Sequence, residues 1–138
     1  MLLRGLTMLI ARTTLGVLCL LTALVTLGLY YFNAVDPVAA IPIWFVVDIF
    51  IAVAILLTVV VNVCDSLRIR RDPQAHLRQL PRDVITVIAG LVLMLFLHNH
   101  LLFALEPGSE NVGLWLYLDP VLIAVLTWEG IALVRSRY

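Results

Sequence analysis

The chain has 138 residues, 63% of them hydrophobic and 13% charged, and its formal net charge is zero. Soluble domains carry about 25% charged residues, so this composition cannot furnish a water-exposed surface. A neutral chain offers no field to attract nucleic acid, and the length allows one domain without an appended soluble one.

The first apolar run is Thr13 to Phe32, preceded by Arg4 and Arg12. It is longer than the ~7–15-residue core of a secretory signal and no A-x-A site follows it, so it reads as a retained transmembrane helix. Leu2 to Ile10 reads as a short interfacial segment. Arg12, Gly16, Cys19, Ala23 and Thr26 recur at three- and four-residue spacing, which places them on one helical face. Most of these side chains are small. In lipid, where packing replaces the hydrophobic effect, a small-residue stripe lets another helix approach closely. Gly16, Cys19, Ala23 and Thr26 are therefore a candidate helix-packing interface.

A turn-rich link, Asn33 to Pro42, leads to the second run, Ile43 to Cys64. Trp44, Asp48, Ala52, Ile55, Val59 and Asn62 share a face of that helix. Cys19 and Cys64 form no disulfide pattern and read as small hydrophobes.

The long connection, Asp65 to Asp83, carries Arg68, Arg70, Arg71, Arg78 and Arg82. These arginines are candidate contacts for anionic lipid headgroups, at about 1 kcal/mol each near the surface. Asp72-Pro73 has the form of a helix start, and the spacing predicts a short surface helix from Pro73 to Leu80, stopped by Pro81.

The third run is Val84 to Phe103, with Ala89 and Gly90 as its small residues and His98-Asn99-His100 near its far end. Helical positions two apart point about 200° from each other, so the two histidines cannot chelate one ion, and one bundle encloses only one of them. After the turn Glu106-Pro107-Gly108-Ser109 comes the fourth run, Gly113 to Val134. It contains Asp119-Pro120, where proline removes a backbone bond and predicts a bend, and Glu129 near its inner end.

Each run holds about 20 residues, enough at 1.5 Å per residue to cross a ~30 Å hydrocarbon core as a helix. All nine arginines precede the first run, lie between the second and third, or follow the fourth, and the chain has no lysine. Basic residues mark cytoplasmic loops. The expected fold is an all-α integral membrane protein: a four-transmembrane-helix bundle with both termini inside, in a bacterial inner membrane.

Asp48, His98 and Asp119 all fall about 8–9 Å below the outer surface, on three different helices. Ionisable groups at such depth need a partner, a proton or water. One imidazole and two carboxylates could hold a divalent metal ion, relay protons, or lock the bundle by hydrogen bonds. Asn62 and Glu129 form a second, inner polar pair. Two function classes follow. The first is a non-catalytic accessory subunit among other integral membrane subunits, as in a respiratory or metal-containing oxidoreductase. The second is a small membrane protein, such as a small transporter, with a metal or proton site at Asp48, His98 and Asp119. Under the first reading, either His100 or the Gly16–Thr26 stripe is expected at a subunit interface.

Overall fold

In a computed structural model, the backbone is described for residues 2–35, 37–69, 73–106 and 112–135, and the side chains for 7–33, 35, 43–67, 79–103, 105–106 and 113–135. Four helices account for almost all of it: α1 (Leu2–Val35), α2 (Pro37–Ile69), α3 (Pro73–Leu105) and α4 (Val112–Arg135). Each is long and apolar enough to cross a membrane, over Thr7–Asn33, Ile43–Leu67, Gln79–Phe103 and Gly113–Arg135. Among the described residues there is no strand. In lipid this is the expected outcome, because a helix satisfies its backbone internally.

The helices overrun the apolar runs. α1 is continuous from Leu2, so the segment Leu2–Ile10 is helical and joined to the first span without a break. α2 already begins at Pro37, within the link expected at Asn33–Pro42. The expected long loop is likewise mostly helix, since α2 continues to Ile69 and α3 begins at Pro73. Pro81 lies inside α3 and does not stop it. Proline there deletes one backbone bond, to the carbonyl of residue 77, where the helix is only entering its apolar span and water can reach the freed oxygen. The Thr86 hydroxyl, in the next turn, donates to the Arg82 carbonyl at 2.8 Å and is satisfied within the helix. α4 runs through Pro120 in the same way.

The helices form a ring in chain order. α1 packs most extensively on α4, α1 on α2 and α2 on α3 follow, and α3 packs least on α4. α1 and α3 are diagonal and share no close backbone approach among the described residues. The small-residue stripe explains the first of these contacts. Gly16 is buried against α4, where an added Cβ would stand 2.9 Å from the Gly130 carbonyl oxygen and 2.8 Å from Val134 Cγ2. Cys19, Ala23 and Thr26 continue the buried face. The stripe is thus an interface within the chain and is not left for a neighbouring subunit. Gly90 meets nothing within 4 Å, and the small residue that packs in α3 is Ala89.

α2 organises the interior. Asp48, Ile51, Ile55, Thr58, Asn62 and Asp65 are all buried. Their spacing alternates between three and four residues, the repeat that keeps one seam facing its neighbours along the whole helix. Ala52 and Val59, expected on this face, flank it and are partly buried. The middle of the bundle is filled by apolar side chains: Ile51, Ile55, Phe96, Leu122 and Leu126 are almost fully buried there.

Candidate functional site

The polar residues of the α2 seam lie in two groups, one towards each end of the bundle. Each group meets residues from other helices. At the end opposite the termini, Asp48 Oδ2 and His100 Nε2 are 2.9 Å apart, joining α2 to α3. The imidazole stacks on Phe96 at a centroid distance of 4.8 Å and meets the edge of Trp115 at 5.1 Å. Phe96 and Trp115 also touch each other, at 5.6 Å, so two aromatic rings and a carboxylate flank the half-buried histidine. Among the described residues, His100 Nδ1 is buried without a hydrogen-bond partner. Asp119, on α4, is buried to 9% exposure and lies within electrostatic range of Asp48.

The sequence expectation placed His98 in this cluster. The structure places Asp48 and Asp119 at one level and His100 beside them, while His98 is exposed on the opposite side of α3. The rotation of α3 decides this: burying Phe96 and Asn99 against the seam brings His100 inward and turns His98 away. His100, a candidate for a subunit interface, is therefore occupied inside the chain. Among the described residues, no three His, Cys, Asp or Glu side chains converge closely enough to hold a metal ion. The donor set for the divalent metal considered from the sequence is not assembled by this arrangement.

At the arginine-rich end, Asn62 Nδ2 donates to Glu129 Oε1 at 2.9 Å, joining α2 to α4. Both residues are almost completely buried, at 1% and 0% exposure. One turn further along α2, Asp65 accepts a hydrogen bond from Arg12 of α1. Arg82 Nη1 of α3 lies 3.6 Å from the other Asp65 oxygen. A single carboxylate therefore sits between guanidinium groups from two diagonal helices. Counting by apolarity puts Asp65 at the start of a loop and pairs neither arginine with it. The signal was present: Asp65 falls three residues after Asn62 on the same face, and Arg12 lies on the stripe of Gly16. Arg82 thus faces the bundle. The side chains of Arg68, Arg70, Arg71 and Arg78 lie outside the described residues, as does the 107–111 turn.

Between the two levels the polar groups are hydroxyl and thiol. Thr58 and Thr26 donate to the carbonyls of Ala54 and Thr22, each at 2.7 Å, which satisfies both hydroxyls within their own helices. Cys19 Sγ lies 3.4 Å from Thr58 Oγ1, adding a contact from α1 to the seam. From Asp119 to Glu129 is ten residues along α4, about 15 Å at 1.5 Å per residue. The apolar side chains of the bundle middle fill that interval. A crevice beside Glu129, lined by Ile55, Thr58, Ala89, Val125 and Leu126, has no room for a water molecule.

No protein family model, curated protein or solved structure matches the chain.

Proposed function

We propose that this protein is a small accessory subunit that docks in the membrane against a larger integral membrane protein, with no catalytic chemistry of its own. The observation that carries this reading is the contrast between the bundle's interior and its α3 face. Inside, the seam of α2 supplies a partner to every other helix, so the polar groups are used to specify the fold. Outside, His98 is exposed within an apolar span. Among the described residues it is the only acidic or basic side chain so placed, apart from Arg135 at the last residue of α4. An imidazole at that depth needs a polar partner, which hydrocarbon does not provide. Val84, Val87, Leu91, Met94, Leu101 and Leu105 are exposed on either side of it. With His98 they continue a four–three spacing along α3, the pattern of a helix seam. A partner helix with a donor or acceptor at matching depth fits this face, as in the membrane arm of a respiratory or metal-containing oxidoreductase. The arginine distribution orients the chain with both termini in the cytoplasm of a bacterial cell.

The test is a photo-crosslinking amino acid at Met94 or Leu101, with Leu24 of α1 as a control on another exposed face. The docking reading expects one larger membrane protein to be captured from positions 94 and 101 in native membranes, not from 24, and to be lost in His98→Leu. Equal capture from all three positions, or a chain that stays alone in mild detergent, counts against it.

A second reading has one specific observation in its favour. Asp119 is buried within electrostatic range of Asp48, while Asp48 is occupied by His100. Two carboxylates and one imidazole at one level could pass a proton. Reconstituted vesicles in which Asp119→Asn abolishes a proton flux carried by the parent chain would establish that reading; vesicles of the parent that carry no flux would remove it.

A further inference from the structure

The arginine-rich end holds more buried hydrogen-bonding capacity than its contacts use. Arg82 places Nη1 3.6 Å from Asp65, beyond hydrogen-bond length, and its Nε and Nη2 are buried with no acceptor among the described residues. Glu129 Oε2 and Asn62 Oδ1 are buried with no donor among the described residues. The Arg82 charge acts on Glu129. Asp65 does not depend on Arg82, because Arg12 already donates to it. Two idle guanidinium donors on α3 thus lie within electrostatic range of Glu129 of α4, which together with its partner Asn62 of α2 presents two idle acceptors. An unmet buried donor and an unmet buried acceptor are each unfavourable, and one movement satisfies both.

The helix packing does not hold α3 closely against α4. α3 on α4 is the least closely packed of the four neighbouring pairs. The crevice along Glu129 has walls from α2, α3 and α4, so it lies where the two helices would close.

We propose that Arg82 exchanges between Asp65 and Glu129, and that the exchange sets how closely α3 approaches α4. With Arg82 on Asp65, α3 is tied to α2 and the seam beside Glu129 is loose. With Arg82 on Glu129, the fork of Nε and Nη2 meets Oε2 and the Asn62 amide oxygen, α3 is drawn to α4, and the crevice closes. Arg12 holds Asp65 in both states, so the carboxylate that Arg82 leaves is never without a counter-ion. Bidentate donors make arginine suited to such a transfer. The device does not depend on the docking reading.

The test uses the full chain in lipid with Cys19→Ala and Cys64→Ala. Spin labels go on the exposed positions Val87→Cys of α3 and Trp128→Cys of α4, and their separation is read by double electron–electron resonance. Two distance populations are expected in the parent. Glu129→Gln should leave only the longer one, and Asp65→Asn only the shorter. Arg82→Gln should leave the longer one, and adding Glu129→Gln to it should change nothing. If Asp65→Asn fails to fold, the comparison of Arg82→Gln with Glu129→Gln still decides. A single population unchanged by the variants overturns the proposal, as do Arg82→Gln and Glu129→Gln effects that add.

Discussion

Gly16 of α1 and Gly130 of α4 face each other so closely that a Cβ on either would stand 2.9 Å from the other's carbonyl oxygen. Both obstacles are backbone, which cannot swing aside as a side chain does. Gly16→Ala or Gly130→Ala must therefore push the two helices apart, at about 1–3 kcal/mol, the usual cost of overpacking. Gly28→Ala and Gly90→Ala meet nothing within 4 Å and should leave stability unchanged or raise it slightly. Thermal unfolding in one detergent, measured for all four variants, checks the contrast.

Asp48 and His100 should act as a unit, and His98 should not belong to it. Asp48→Ala leaves the imidazole between Phe96 and Trp115 without its carboxylate, at a cost of about 1–3 kcal/mol for the unmet group. His100→Ala should cost a similar amount, and the double variant should cost less than the sum. His98→Ala should leave folding stability within about 0.5 kcal/mol of the parent, as surface changes do. A Trp115 fluorescence change in His100→Ala but not His98→Ala gives an independent readout, because Trp115 touches only the former among the two.

The Asn62–Glu129 bond should show a measurable coupling across α2 and α4. Cross-helix hydrogen bonds in membranes average about 0.6 kcal/mol in double-mutant cycles, with values up to about 1.7. This pair is fully enclosed and belongs at the upper end. Asn62→Leu and Glu129→Leu should each destabilise, and the double variant should recover part of the loss. Strict additivity in reversible denaturation would show that the pair contributes no coupling.

Topology is tested with Ser66→Cys and Ser109→Cys on a background lacking Cys19 and Cys64. With both termini inside, an impermeant thiol reagent added to intact cells should label position 109 and spare position 66. The reverse pattern would invert the arginine-based orientation.

The spans were legible because hydropathy alone locates twenty-residue apolar helices. Their true lengths were not. The ends of α1, α2 and α3 carry Arg4, Asp65 and Pro81, residues that look like loop when counted by apolarity, yet they sit on helices that protrude beyond the apolar core. Of the outer cluster, Asp48 and Asp119 could be placed at one depth by counting residues. The choice between His98 and His100 could not, because depth differs by only two residues while direction differs by most of a half-turn. That choice depends on the rotation of α3 about its axis, which tertiary packing sets. The inner end shows the opposite limit. Asn62 and Glu129 were recognisable as polar groups in apolar helices, whereas the Arg12–Asp65 contact joins positions 53 residues apart and required the ring order of the helices.

The order of the helices around the ring also dictates an order of events during membrane insertion. α1 touches α2, and α2 touches α3, so each new helix finds its neighbour already in place. α4 is the exception, since its most extensive partner is the first helix made. Until it arrives, Asn62 has no carboxylate and the groove at Gly16 has no helix to fill it. The nascent chain must wait as an open three-helix arc, and closure comes only when the last segment leaves the insertion machinery. A chain interrupted before Gly130 would therefore lack the helix that fills the groove at Gly16, as one interrupted before Glu129 would lack the carboxylate that meets Asn62.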